Sequence, residues 1–263
     1  KAKGVYIHTM DGRKIIDAIS SWWVNIHGHS HPRINKAIGR QAAKMEQVIF
    51  AGFTHKPAVD LSKTLMKLLP DSITKIFFSD NGSTSVEVAI KLAIQYWHNQ
   101  GKPRRKIIAL EGAYHGDTFG SMSVAERNIF SAPFNDFLFE VSFIPFPKGD
   151  GNDAIAKMKE LVSDETAVFI FEPLVQGAAG MQMYAPEVLD QLMAVAKSKE
   201  VICIADEVMT GFGRTGKMFA CDYLDNDPDV FCLSKGITGG YLPMGVTAVN
   251  DRIVKAFDVA DRT

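Results

Sequence analysis

The sequence predicts an α/β fold, a mostly parallel sheet with helices on both faces. Three observations predict it. Short apolar runs bounded by turn signals recur along the chain, as in VICIA (201–205) and VFCL (230–233), and such runs suit strands covered on both sides. Segments with an apolar period near 3.6 separate them, and this alternation marks parallel strands joined by right-handed crossovers. The composition, 46% hydrophobic and 22% charged over 263 residues, is that of an ordinary globular protein.

Residues 1–20 read as two short strands, GVYIHTM and KIIDAIS, around a turn at Asp11-Gly12. In the loop SSWWVNIHGHSHP, Trp22 and Trp23 suit either core packing or the wall of a site for an apolar ligand. Pro32 fits the first turn of a helix running to about 48, and a second helix over 58–68 is stopped by Pro70. The strand TKIFFSD carries the chain into NGSTSVEVAIKLAIQYWHNQG, a helix with Val86, Ala89, Ile90, Ala93 and Trp97 on one face. The strand KIIALEG leads to the turn AYHGDTFG and another helix. Residues 130–147, rich in Phe and Pro, read as a covering loop with one strand. A helix over 153–161, the strand AVFIFEP ending at Glu172, the loop VQGAAGM and a helix over 186–198 lead to the two central strands. After GGYLPMGVTAVN, the stretch DRIVKAFDVADRT opens a helical pattern that stops at the last residue, as a fragment would. The expected division is an N-terminal segment over 1–50 and a large domain over 51–263, truncated at its C-terminal end.

A formal net charge of −1 leaves no basic footprint for nucleic acid and no polybasic patch for a membrane surface. No apolar run approaches the roughly 20 residues of a membrane span, and the first residues carry no signal-peptide core. Cys203, Cys221 and Cys232, an odd set without CxxC spacing, read as reduced thiols of a cytoplasmic protein. His27, His29 and His31 alternate in HGHSHP without an acidic or cysteine partner, so they read as loop histidines and no metal site is expected.

The chemistry gathers at the strand ends. Asp206 closes the first central strand and Lys235 the second. Ligands of such sheets collect at the carboxyl ends of the strands, so both side chains are expected in one crevice. A lysine does covalent chemistry when a carbonyl cofactor consumes its amine as a Schiff base. Pyridoxal phosphate also needs a carboxylate to keep its ring nitrogen protonated. Taken alone, the pair also reads as a strand-end salt bridge. At the NGST junction, Gly82 permits close approach of a ligand, and the helix start with the Ser83 and Thr84 hydroxyls suits an anion. The same stretch also reads as a plain cap, with Thr84 and Glu87 forming a capping box. Tyr114 suits stacking on a planar ring, or ordinary packing. Pyridoxal phosphate asks for all four pieces together.

DEVMTGFGRTGK with PDVFCLSKGITGGYLP, SDNGSTSVEVAIKLA, EGAYHGDTFG and FIFEPLVQGAAGM together resemble the class III, fold type I aminotransferases, from about Gly4 to the last residue. The resemblance implies the large domain of a pyridoxal-phosphate enzyme with Lys235 as Schiff-base lysine and proton carrier. It further implies Asp206 on the pyridinium, Gly82 and Ser83 on the phosphate, Tyr114 and Val208 against the two ring faces, and Trp22, with Trp23 beside it, in the substrate pocket. SSWWVNIHGHSHP and VQGAAGMQMYAPE resemble the biotin-synthesis branch of the family. Met209, standing where ornithine- and aminobutyrate-type relatives carry glutamine, points the same way. That branch implies ping-pong transamination from S-adenosylmethionine to 8-amino-7-oxononanoate by a homodimer.

Relatives also carry an N-terminal aromatic segment and a C-terminal small domain with an arginine for the substrate carboxylate, and their partner subunit supplies a threonine loop. This span lacks those pieces, so it is not expected to be active alone. The rivals are another ω-aminotransferase on the same scaffold, a non-catalytic phosphate-binding α/β module and an inactive structural fragment. The module is the weaker rival to an enzyme, because GFGRTG follows Asp206 instead of opening a helix after a strand.

Overall fold

The structure, a computed structural model, describes residues 1–258. The chain forms strands β1 (Ala2–Lys3), β2 (Tyr6–His8), β3 (Lys14–Ile16), β4 (Ile73–Ser79), β5 (Lys106–Leu110) and β6 (Ser142–Ile144). It continues with β7 (Thr166–Phe171), β8 (Val175–Gln176), β9 (Gln182–Met183), β10 (Ile202–Asp206), β11 (Val230–Leu233) and β12 (Gly245–Asn250).

The apolar runs lie in one seven-stranded sheet of order β4-β12-β11-β10-β7-β5-β6. Strands β6, β5, β7, β10 and β11 run parallel. Every residue of β7, β10 and β11 is buried. Alternate side chains therefore feed two cores, one on each face. Phe169, Phe171, Cys203, Ala205, Phe231 and Leu233 join the core beneath helices Asn152–Leu161 and Pro186–Lys197. Val168, Ile170, Ile202, Ile204, Val230 and Cys232 join the other, which Val86, Ala89, Ile90, Ala93 and Trp97 of helix Gly82–Asn99 complete.

GVTAVN, to which the sequence reading assigned no element, is β12. It lies antiparallel between β11 and β4. The chain reverses after Lys235 and returns through the sheet, so an otherwise parallel sheet carries one inverted strand.

The first 50 residues differ from the expectation and from the rest of the molecule. They form a three-stranded antiparallel sheet in the order β1-β2-β3 instead of a single hairpin. The helix expected to run to about 48 is Pro32–Ala42. Among the described residues none of 1–50 is buried, so periodicity there had no packed core to enforce it. The second helix is Lys56–Met66 and starts early because the His55 ring accepts the Ala58 amide as its cap. The first two residues of VQGAAGM are β8, and the rest is the loop to β9, with which β8 pairs as a two-stranded ribbon. Of the helix expected over 251–263, Asp251–Lys255 is helical and 259–263 lie outside the described residues. Among the described residues no helix is long and apolar enough to cross a membrane.

Candidate active site

Because β10 and β11 pair with Asp206 opposite Cys232, the residues that follow Cys232 emerge at the same sheet end as the Asp206 carboxylate. That end opens on a cavity of about 420 Å³ lined by Gly82, Ser83, Tyr114, Asp206, Val208 and Lys235. Trp23, His115, Glu172 and Met209 also line it.

The helix start is built by Asn81. Its side chain accepts the Thr84 amide (2.9 Å) while Thr84 Oγ1 accepts the Asn81 amide (3.1 Å), a reciprocal capping box. The box expected between Thr84 and Glu87 does not form. Glu87 lies beyond the first turn and instead accepts the Thr118 hydroxyl (2.5 Å) and the Gly120 amide (2.7 Å). As the first helical residues, Gly82 and Ser83 have amides without an intrahelical partner. A Cβ at Gly82 would stand 2.9 Å from Val208 Cγ1. Glycine is required for this junction to close on the loop after Asp206.

The YHG turn packs onto the same helix start. Gly116 has φ +125°, and a Cβ there would fall on Ser83 Oγ. Ser83 Oγ accepts the Asp117 amide (3.2 Å), and Tyr114 OH donates to Asp117 Oδ2 (3.0 Å). Burial first, and then the Asp117 charge, push the Tyr114 hydroxyl up to about 12.

Asp206 is buried, and its partner is His115, whose Nδ1 lies 2.7 Å from Oδ2. A carboxylate only accepts, so the ring nitrogen donates. Asp206 Oδ1 takes the Val208 amide (3.1 Å). His115 Nε2 is buried with no hydrogen-bond partner among the described residues. No Asp206–Lys235 salt bridge forms, and both groups face the cavity instead. Lys235 is held below the usual lysine range by burial, with Asp206 and Glu172 opposing the shift and Arg214 adding to it.

Glu172 follows directly on β7, as Asp206 ends β10. Its oxygens accept the Tyr114 amide (3.0 Å) and the Gly177 amide (3.1 Å), so it ties together two loops of the cavity wall. Burial pushes its carboxyl up to about 7, against the pull of His115 and with the help of the Asp206 charge. Sequence reasoning assigned no role to His115 or Glu172. The available signals were a histidine beside the strand-end tyrosine, and a second strand ending in a carboxylate.

The tryptophans divide. Trp23 lines the cavity with its ring centroid 5.4 Å from Lys235 Nζ, whereas Trp22 lies outside the lining, 68% exposed, edge-on to Trp23 at 6.3 Å. Of the two tryptophans expected in the pocket, Trp23 therefore lines it and Trp22 does not. The cause is the backbone. Ser20, Ser21, Trp22 and Trp23 have φ of 50°, 49°, 67° and 66°, a left-handed turn without a glycine. Such a conformation costs a non-glycine residue about 1–2 kcal/mol. Nearby, His29 does have an acidic partner, Asp17, at 2.8 Å, which the sequence reading had denied it.

Comparison with known proteins agrees in both sequence and shape. The family model described as aminotransferase class-III matches residues 1–263. The adenosylmethionine-8-amino-7-oxononanoate aminotransferase of Synechococcus elongatus is 53% identical over 97% of this chain, and that of Buchnera aphidicola subsp. Baizongia pistaciae 41% over 96%. The chain spans 62% and 61% of the lengths of these relatives. The crystal structure of the Methanocaldococcus jannaschii adenosylmethionine-8-amino-7-oxononanoate aminotransferase superposes with a TM-score of 0.92 at 38% identity, covering 98% of this chain and 60% of that one. An amine transaminase from an uncultivated Pseudomonas species, in its PLP-bound form, superposes with a TM-score of 0.91 at 31% identity, covering 98% and 62%.

Proposed function

The chain belongs to the class-III aminotransferase family, and from that premise we propose that it works in transamination from S-adenosylmethionine to 8-amino-7-oxononanoate, a step of biotin synthesis, with pyridoxal phosphate as cofactor. One observation carries the reading: Lys235, Asp206 and the Gly82-Ser83 helix start share one cavity, and no salt bridge joins the lysine to the acid.

The residues fit the cofactor. The backbone at Gly82 has little room for a Cβ beside Val208, and the bare amides and positive end of the helix would hold an anionic group such as the cofactor's phosphate. Asp206 supplies a buried carboxylate for a ring nitrogen, and His115 holds its orientation through the 2.7 Å bond. Tyr114 and Val208 offer surfaces for the two faces of a flat ring. When bound, pyridoxal phosphate supplies an aldehyde for amines and a protonated ring that accepts an electron pair.

The chain's own residues do the rest. Burial lowers the proton affinity of Lys235 Nζ, which suits an amine that would move a proton from one carbon to another. Trp23 walls the space over Nζ with an apolar face, which suits the methylene chain of the acceptor. Ile129, Phe130 and Phe137 are exposed hydrophobic residues of the kind that mark a subunit contact, which supports a homodimer. Three buried free cysteines suit a cytoplasmic setting.

The test is an absorbance spectrum of the full-length protein with pyridoxal phosphate. A visible band that disappears in Lys235→Ala, and that S-adenosylmethionine bleaches in the parent, is the expected result. A band indifferent to Lys235→Ala would overturn the cofactor assignment. Bleaching by β-alanine but not by S-adenosylmethionine would move the reading to an ω-amino-acid aminotransferase.

A further inference from the structure

We propose that Glu87 is a positioning residue for the anion cradle, and that it acts by fixing the turn that aims the Ser83 hydroxyl. The inference rests on the reading of Gly82-Ser83 as the place of the cofactor's phosphate.

Glu87 follows Ser83 by four positions on helix Gly82–Asn99, so the two side chains share one face, a turn apart. That face meets the AYHGDTFG turn and the short helix Phe119–Ser123 that continues it. The first amides of a helix lack intrahelical partners, and the residue just before them ordinarily caps them. Thr118 stands at that position and is a favourable type for it, yet its side chain makes no cap bond. Its hydroxyl donates to Glu87 Oε1 (2.5 Å) instead. The same oxygen accepts the Gly120 amide (2.7 Å) and the Ser121 amide (3.3 Å). A carboxylate from another helix therefore does the capping, and it gathers hydroxyl and helix start at one point. A Cβ at Gly120 would collide with that carboxylate, so glycine is what admits it.

The turn is thereby held at both ends. At its start, the Tyr114 amide is bonded to Glu172 and the His115 ring to Asp206. At its far end, Glu87 is joined by Ser121, whose hydroxyl donates to the Ser83 carbonyl (2.9 Å). Between these two far-end ties lies Ser83 Oγ, which accepts the Asp117 amide (3.2 Å). A hydroxyl has one proton and two lone pairs. With a lone pair filled by the Asp117 amide, the Ser83 oxygen keeps its own proton for an anion in the cavity it lines. Glu87 is not among the lining of that cavity, so it reaches the anion only through the turn and Ser83. Loss of the carboxylate frees the far end alone. The surfaces for the ring, which depend on the near end, on Val208 and on Asp206, should survive.

The test uses the full-length protein, with pyridoxal phosphate, pyridoxal and inorganic phosphate as probes. In absorbance titrations, Glu87→Ala should weaken pyridoxal phosphate about tenfold, the factor for one hydrogen bond to a charged group. Pyridoxal has the same ring and aldehyde without the phosphate, and its affinity should change by less than about twofold. Glu87→Gln keeps an acceptor oxygen for Thr118 and should recover most of the loss. Added to Ser83→Ala, Glu87→Ala should cost nothing further, because the two residues act as one unit. Equal losses for the two pyridoxal forms would overturn the proposal, since they would mean a general loosening of the site. Unchanged affinity for both, or penalties that add fully to those of Ser83→Ala, would overturn it too. If Glu87→Ala fails to fold, Thr118→Val deletes one bond of the clamp and is held to the same outcomes. A parent protein that binds neither pyridoxal form would count against the transaminase reading, and inorganic phosphate then decides the clamp. Its stabilisation of the parent in thermal unfolding should shrink in Glu87→Ala; no stabilisation of the parent, or an equal shift in both, would overturn the role of Glu87.

Discussion

The central sheet and the first 50 residues both contribute walls to the same cavity, but they are held in place by different forces. In β7, β10 and β11 every side chain is buried, so Asp206 and the residues leading to Lys235 are carried by close packing on two faces. In the N-terminal segment no whole residue is buried among the described residues, and Trp23 is carried by a strained turn tied with hydrogen bonds. Under the proposed reaction, the groups that would handle protons sit on the packed part, and the tryptophan that would meet the substrate's bulk sits on the tethered part. Such a division allows the substrate to change while the chemistry is kept, because a tethered loop can be re-aimed without disturbing a packed core.

The largest expected effect sharpens the comparison at its rigid end. Asp206→Asn should still bind pyridoxal phosphate yet lose turnover by on the order of 10³-fold, because the amide cannot hold a proton on a ring nitrogen. Near-normal kcat in steady-state assays of the full-length protein would remove Asp206 from the chemistry. Next, Phe231→Ala should lower unfolding free energy by about 3–5 kcal/mol in denaturant titrations, since its fully buried ring projects from the strand leading to Lys235 into the core beneath helices Asn152–Leu161 and Pro186–Lys197. A cost below about 1 kcal/mol would mean that packing does not hold these strands.

The pH dependence tests the same core through a titrating group. The Glu172 carboxyl stands at about 7 in the fold against an ordinary 4.5, so the folded state binds its proton more tightly than the unfolded chain. Its contribution is fully present below about 4.5 and is lost as pH rises through about 7. The difference amounts to roughly 3 kcal/mol. Urea titrations at pH 5 and pH 8 should show that decline in the parent, and Glu172→Gln should flatten it. The smallest effect belongs to the other region. Ile16→Ala, at a side chain 61% exposed, should change stability by no more than about 0.5 kcal/mol. A cost of several kcal/mol there would break the comparison, because it would show that the N-terminal sheet buries its apolar face.

The elements that carry the chemistry were legible in the sequence for a local reason. A run such as VFCL between turn signals has few alternatives to a buried strand, and a charged residue at its end must leave the core. Lys235 and Asp206 were found in this way, Gly82 and Ser83 from the Asn-Gly turn into a helix start, and Tyr114 from an aromatic at a strand end; all line one cavity. The helix face Val86–Ala89–Ile90–Ala93–Trp97 was legible because burial imposes a period of 3.6 on residue choice.

Contacts between distant segments were not legible. GVTAVN has the composition of a strand, but its inverted place between β4 and β11 depends on pairing partners far apart in the chain. The bond of His115 to Asp206 spans 91 residues, and that of Arg214 to Trp23 spans 191. Only the tertiary structure decided which tryptophan faces the lysine, because that choice rests on four positive φ angles that no propensity favours. The sequence by itself determined which residues reach the ends of the strands, since burial acts on each short run where it stands. Which of them meet, and which partner holds each one, was settled by folding, because hydrogen bonds and strand pairings form between whatever the completed chain brings within 3 Å.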